Sequence, residues 1–318
     1  LLKPGHPQSY TVVQGDTLWD IAGYFLRDPW RWPDIWYVNP QVGNPHLIYP
    51  GDLLQLTYRD GKPQLKLTPG PRRVKLSPGV RVQPWDGSIP TIPMDAIGPF
   101  LSRPHVVDLD QLEHAPYIVS FADRRLLGGT GTRAYVRALG CKEQSHHVVR
   151  PLGPYRDADT DEVLGYEALY VGSVETLKPG DPATVFFNNS ASESLVGDRL
   201  LSVSEDKLHG YFTPRSPQRM IEGSIIRVMN GLEQIGQYSV VVIDKGTTDG
   251  LQPGHVLQIK VRGDAIQDPI TTDFMKEVKL PDEVAGHLMI FRTFERVSFG
   301  LVMHALRAMH VSDRVSTP

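Results

Sequence analysis

The sequence has a single cysteine, Cys141. No internal disulfide can form, and one thiol fits a reducing or an oxidising compartment equally well. It also lacks any apolar run near the roughly 18–20 residues that a membrane-spanning helix needs. The longest apolar stretches, such as residues 238–243, have the length of a strand. There is no block of like charge: 33 Lys and Arg against 36 Asp and Glu leave a net −3, with the signs interspersed. That balance excludes a strong basic field for nucleic acid or an anionic membrane. Missing too are H-E-x-x-H, a paired-His zinc spacing and G-x-S-x-G, so no metal or cofactor is expected.

What is present divides into three zones, and 318 residues allow two or three domains. Residues 10–57 hold four of the five tryptophans, Trp19, Trp30, Trp32 and Trp36, which marks a small, aromatic-rich unit. Residues 58–115 are proline-rich and read as an extended linker that sustains neither a helix nor a central strand. Within it Ile89, Ile92, Met94, Ile97, Phe100 and Leu101 are apolar and available to dock on a neighbour. From about residue 116, short apolar runs alternate with Gly and Pro turns, a β-rich pattern. This last zone carries a weak internal repeat. Glu162-Val163-Leu164-Gly165 is matched by Glu283-Val284-Ala285-Gly286, and Gly197-Asp198-Arg199-Leu200 by Ser312-Asp313-Arg314-Val315. Upstream, Tyr155-Arg156-Asp157 parallels Ile266-Gln267-Asp268. Two related β modules, 116–206 and 220–318, are expected; coincidence in a β protein is the alternative.

Local chemistry predicts the elements of residues 10–57. Tyr10-Thr11-Val12-Val13 has strand composition, and Gly15 suits a turn that strains other residues. Thr17-Leu18-Trp19-Asp20 has the form of a capping box. Leu18, Ile21, Ala22 and Phe25 then fall on one helical face. Pro33 suits the first turn of a second helix with Ile35, Trp36 and Val38 for burial, and Asn39-Pro40 stops it. Tyr49-Pro50-Gly51-Asp52 turns into a closing strand at 53–58. The result is β-α-α-β with the two strands antiparallel, so the chain as a whole is expected to be α+β with a mostly β C-terminal region.

These residues closely resemble the LysM family, from Tyr10 through Ala22, at Asn39-Pro40 and from Leu47 through Leu56. The segment 27–33 departs from it, being longer and richer in Trp. The resemblance implies binding to N-acetylglucosamine-containing polymers such as peptidoglycan. The implied contacts are Gly15, Asp16, Thr17 and Leu18 on one side of a groove and Asn39, Ile48, Tyr49 and Pro50 on the other. Backbone groups at fixed turns suit acetamido groups, and apolar side chains suit the face of a neutral sugar. Each position also has a plain structural role open to it. Gly15 and Gly51 serve turns, Thr17 a helix cap, Trp19 and Trp36 a core, and Trp30 and Trp32 either packing or an exposed contact.

A catalytic reading meets little support. Cys141 lies near His146-His147 but in a turn-like Gly140-Cys141-Lys142-Glu143, and the two His read as strand-edge residues. Asp157-Ala158-Asp159-Thr160-Asp161 imitates a calcium loop but has Glu162 where Gly is needed and Ala168 at the twelfth position. Gly128-Gly129-Thr130-Gly131 precedes a strand-like segment, so no helix N-terminus awaits a phosphate. The chain is therefore expected not to be an enzyme.

The Gly246-x-x-Asp249-Gly250-Leu251-x-x-Gly254 pattern resembles the C-terminal β domain of the flagellar T-ring protein FlgT. The whole order resembles the TsaP-like, secretin-associated LysM proteins of type IV pilus systems. That order runs from the aromatic module through Ser88-Ile89-Pro90 to Phe100-Leu101 and the β modules, ending in Phe291 to Phe299. The resemblance implies a periplasmic protein that grips peptidoglycan and surrounds or aligns the outer-membrane secretin, with a homo-oligomer around the ring as one possible form. The chain starts at Leu1, so a signal peptide is read as already removed. The competing expectations are a peptidoglycan hydrolase targeted by its LysM module, and an anchor for another envelope ring such as the flagellar one.

Overall fold

The expected helical face does go inward: Leu18, Ile21, Ala22 and Phe25 pack with Val12, Ile48, Leu54 and Leu65 into one buried cluster. The structure, a computed structural model, describes residues 1–36, 48–70, 92–101, 106–140, 145–203, 212–229, 234–263, 265–267 and 277–318. In the first unit β1 (Ser9–Thr11) leads to α1 (Leu18–Phe25), a 3-10 helix (Pro29–Asp34), β2 (Leu53–Arg59) and β3 (Lys62–Thr68). Thr17 caps α1 by accepting the Asp20 N–H at 3.2 Å, while its hydroxyl donates to Asp20 Oδ2 at 2.6 Å. Pro33 lies inside the 3-10 helix rather than opening an α-helix, and Ile35 ends it. Val38, Asn39 and Pro40 lie outside the described residues.

The sheet has three strands in the order β1-β2-β3. The third begins inside the segment expected to be linker. Asp60 and Gly61 take φ of 49° and 73°, the pair of left-handed residues that a tight hairpin requires. Pro63 is tolerated because β3 is an edge strand. The linker expectation fails again at α2 (Met94–Leu101), which forms despite Pro99. An interior proline costs a helix about 3 kcal/mol. Burying Ile97, Phe100 and Leu101 against the rest of the chain returns roughly 1.5–3 kcal/mol each. Tertiary burial therefore outweighs local propensity. A short β4 (Val106–Val107) and α3 (Leu109–His114) follow.

Next come β5 (Tyr117–Phe121), β6 (Arg133–Arg137), β7 (Ser145–Arg156), β8 (Val163–Lys178), β9 (Ala183–Ser190) and β10 (Arg199–Ser202). Their neighbours run β5-β6-β9-β8-β7-β10, and β10 pairs back with β5, so the ring closes; β4 adds to β8 from outside. The last six main strands are β11 (Glu222–Val228), β12 (Val240–Ile243), β13 (Val256–Val261), β16 (Glu283–Thr293), β17 (Ser298–Ala305) and β18 (Arg314–Ser316). A side hairpin of β14 (Ala265–Gln267) and β15 (Glu277–Lys279) intervenes. This second ring is a closed barrel ordered β11-β12-β17-β16-β13-β18. Both rings thus follow the order first, second, fifth, fourth, third, sixth. Two of the three repeated motifs land at matching places: residues 162–165 and 283–286 open the fourth strands, and 197–200 and 312–315 open the sixth. The third does not, since Tyr155-Arg156 end the third strand of the first ring while Ile266-Gln267 lie in the side hairpin, and residue 268 lies outside the described residues.

One turn recurs throughout. The residue at its third place has positive φ, and the fourth residue's side chain accepts the N–H of the first. It appears at Val13–Asp16, Tyr49–Asp52, Gly129–Thr132, Leu195–Asp198, Gly236–Ser239, Gln252–His255 and His310–Asp313. Five of the seven place glycine at the strained position, where a side chain would be costly.

In the second barrel alternate residues face opposite ways, and both faces are apolar. Val241, Ile243, Leu257, Leu288, Ile290 and Val302 fill the inside. Val240, Val242, Met289, Phe291, Phe299, Leu301 and Met303 form an outer face. Onto that face pack α2, Tyr155 and Leu164 of the first barrel, and Trp19 of α1. The two barrels are also clasped by charge. Lys245 lies 3.7 Å from Asp157, Arg262 3.4 Å from Asp159, and Arg296 2.8 Å from Glu162.

Candidate functional site

The two turns implicated by the resemblance lie side by side. Val12 donates to the Asp52 carbonyl at 2.9 Å, and its own carbonyl accepts the Gly51 N–H at 2.8 Å. The turn after β1 and the turn before β2 are thereby held as one edge by main-chain bonds. Each is also fixed internally: Asp16 Oδ2 accepts the Val13 N–H at 2.8 Å, and Asp52 Oδ2 accepts the Tyr49 N–H at 2.9 Å. Asp52 Oδ1 takes the Gly70 N–H at 2.9 Å, tying the end of β3 to the same edge. Gly70 must lack a side chain, because a Cβ there would sit 2.0 Å from the Gly51 carbonyl oxygen.

The expected contact residues divide by exposure. Gly15 and Pro50 are exposed, and Asp16 and Tyr49 are half-buried. Among the described residues, and apart from its chain neighbours, no atom lies within 4 Å of where a Gly15 side chain would start, so none of them covers that backbone. Thr17, Leu18 and Ile48 are buried, at 4%, 3% and 0% exposure. Thr17 is spent on the helix cap, and the side chains of Leu18 and Ile48 belong to the core. These three reach a ligand only through their main-chain atoms. Asn39 lies outside the described residues. The edge is thus a shelf of backbone with sparse side-chain cover, suited to hydrogen-bonding a neutral, amide-bearing ligand.

Three features escaped the sequence reading. Tyr24 stacks on Tyr10 with ring centroids 4.9 Å apart and 21° between planes, yet remains half exposed. Tyr10 donates to Asp16 Oδ2 at 3.0 Å, and burial together with that carboxylate pushes its pKa up to about 12. Tyr238 of the second barrel donates to Asp20 Oδ1 at 3.0 Å, joining the barrel to the cap of α1. A solvent-side tyrosine on a helix gives a faint signal for the first feature; nothing in the sequence pairs residues 20 and 238. Trp19 is buried as expected, but in the joint with the barrel rather than in its own unit's core. In the Trp-rich segment, Trp32 is buried and meets Trp36 edge-on at 5.9 Å, while Trp30 is half-buried against the joint.

The motifs weighed for catalysis or metal resolve into structure. Each aspartate of the calcium-like run is occupied. Asp157 accepts the Asp159 and Thr160 N–H groups, Asp159 meets Arg262, and Asp161 meets Arg156 at 3.3 Å. Among the described residues no group of three His, Cys, Asp or Glu is placed to hold a metal ion. His146 and His147 sit on β7 between β8 and β10, inside the sheet rather than at its edge. Cys141 lies outside the described residues. In the Gly246–Gly254 run, Asp249 accepts the Gly246 N–H at 2.8 Å, Gly250 and Gly254 have φ of 87° and 91°, and Leu251 is buried. Those glycines serve the turn itself.

The first unit is therefore a small binding module of the α+β kind, its exposed backbone edge carried on two β rings. Residues 10–57 match the LysM domain family, and this segment is a LysM domain. A LysM domain supports binding to peptidoglycan or a related carbohydrate, and it is a binding module rather than a catalytic one. The chain is also similar to an uncharacterized protein, YqbP, of Bacillus subtilis, with 42% identity over 60 residues. That match covers 16% of this chain and 27% of YqbP, so it spans about a quarter of the relative's length. No helix among the described residues is long and apolar enough to cross a membrane.

Proposed function

We propose that this protein is a non-catalytic periplasmic adaptor that grips peptidoglycan through its LysM shelf and presents its β barrels to the outer-membrane secretin of a type IV pilus system. The observation that carries the peptidoglycan half is the joined pair of turns. Val12 locks them together, no described residue beyond its chain neighbours covers Gly15, and Tyr49 and Pro50 lie at the rim. A neutral sugar needs no charged partner at such a site, and its acetamido group finds donors and acceptors already fixed in place, which lowers the entropic cost of binding. One module binds weakly, so many copies around a ring would gain strength through avidity.

The partner half rests on the resemblance and on an apolar tip of the first barrel. Leu126, Leu127, Leu195 and Val196 are exposed at 87%, 42%, 39% and 59%. Their loops are tied by reciprocal Gly128–Ser194 main-chain bonds of 3.0 and 2.8 Å. Contiguous exposed apolar groups are a feature of protein-binding surfaces. The common strand order of the two rings supports a duplicated unit, with the first ring turned outward and the second committed to internal packing.

The test is co-sedimentation of the full chain with purified sacculi, alongside a secretin pull-down. Wild-type protein should pellet without releasing soluble muropeptides. Tyr49→Ala/Pro50→Ala should lose roughly tenfold in affinity, a change of about 1.4 kcal/mol. Undiminished pelleting of that variant would refute the shelf. Muropeptide release would refute the non-catalytic reading, and absence of secretin from the pull-down would refute the partner.

A further inference from the structure

The LysM shelf does not end at its own domain. Asp16, at one end of it, also lines a cleft of about 830 Å³ between α1 and the second barrel. The α1 side presents Tyr24 and Arg27, the N-terminal segment presents Lys3, and the barrel presents Gln237 and His304. Such a space accommodates a ligand of several rings.

The chemistry of the cleft differs from that of the shelf. Tyr24 offers a half-exposed aromatic face whose position is set by the stacked Tyr10, itself held by Asp16. A flat ring held in this way suits the C–H face of a pyranose. Lys3 and Arg27 add positive charge. Both are exposed, and among the described residues their side chains have no hydrogen-bond or ion-pair partner. Their backbones are nevertheless anchored, Lys3 N to the Phe25 carbonyl at 2.8 Å and Arg27 N to the Leu1 carbonyl at 3.1 Å. The lining also carries Asp16 and Asp20, but Asp16 accepts from Tyr10 and the Val13 N–H, and Asp20 from Thr17 and Tyr238, so the two cations beside the aromatic platform are the charged groups left for a ligand.

We infer that this cleft is a second glycan subsite, selective for an acidic sugar of the muramic type on the strand whose neutral sugar occupies the shelf. The inference rests on the shelf reading. The acidic sugar's ring would lie on Tyr24 and its lactyl carboxylate would face Lys3 and Arg27. That carboxylate is free only where the stem peptide has been removed, and chitin-type polymers have none, so the cleft would favour peptide-stripped glycan strands over chitin and over strands whose lactyl groups are amide-linked, which the neutral shelf cannot do.

The test titrates the full chain with chitopentaose and with a tetrasaccharide of alternating N-acetylglucosamine and N-acetylmuramic acid bearing free lactyl carboxylates. At low salt the wild type should bind the acidic tetrasaccharide roughly fivefold more tightly, with the preference shrinking as salt rises. Lys3→Ala/Arg27→Ala, changed only at exposed side chains, should lose the preference and leave chitopentaose binding unchanged. Tyr24→Ala should weaken the tetrasaccharide, and Tyr24→Phe should restore it. Equal affinities in the wild type, or a preference that survives Lys3→Ala/Arg27→Ala, would overturn the inference while leaving the shelf intact. If neither ligand binds, the shelf reading falls and the second subsite falls with it.

Discussion

The two β rings share a strand order and share turns, yet they are used differently. The first closes around Phe121, Val136, Val148, Val174 and Phe187 and leaves apolar loops at its tip. The second is apolar inside and out, because its outer face is the joint for α2, the first barrel and Trp19. Topology alone therefore does not tell what a barrel does. The difference lies in which faces are covered, and that is decided by side chains on alternate positions of the same strands.

The largest effect that sharpens this contrast is expected at the joint. Phe299 is buried and meets Phe100 at 6.3 Å and Phe294 at 5.2 Å. Phe299→Ala should cost about 3–5 kcal/mol in chemical denaturation, and so should Phe187→Ala inside the first ring. Only Phe299→Ala should also open residues 92–101 to limited proteolysis. Equal cleavage in both variants would mean that the outer face is not a separate joint.

A smaller and unequal effect should separate the equivalent aspartates. Asp198 and Asp313 close the same turn before the sixth strand, each accepting an N–H at 2.8 Å. Asp198 alone also takes Arg150 through both oxygens, at 2.9 and 3.0 Å, and the Ser194 hydroxyl at 3.0 Å. Asp198→Ala should therefore cost about 3 kcal/mol, as for breaking a buried pair. Asp313→Ala should cost about 1 kcal/mol, as for one lost hydrogen bond. Equal midpoint shifts in urea would show that Arg150 contributes nothing.

The smallest effect should be a pH dependence contributed by two histidines of the second barrel. His255 Nδ1 accepts the Gln252 N–H at 3.2 Å, which needs a neutral ring nitrogen. Burial, with Arg215 nearby, holds its pKa below the ordinary 6.5. Burial lowers His287 as well. A histidine lowered in the folded state binds its proton first in the unfolded chain. Stability is therefore complete above pH 6.5 and declines as pH falls from there through the folded values. His255→Gln should flatten that decline in a thermal melt recorded between pH 7 and 5. An unchanged slope would assign the effect to other groups.

The binding module was legible in the sequence because its signals are local. Thr17 and Asp20 are three residues apart and cap a helix, Leu18 to Phe25 share a face, and Gly15 and Gly51 mark turns. The third strand was hidden by the proline count after residue 58, although Asp60-Gly61 is a strong hairpin signal. The repeat in 116–318 was legible only as short motifs, because strand order is a property of pairing at long range.

By itself the sequence determined the caps, the turns and the helical face, since each depends on residues within a few positions of one another and on steric or hydrogen-bonding preferences that act at that distance. Tertiary structure decided the rest. Leu18 and Ile48 face the core rather than a ligand, Trp19 and α2 belong to the barrel joint, and Asp20 meets Tyr238 across 218 positions. Burial competes among all apolar groups of the chain at once, so which face wins cannot be read from spacing along a single segment.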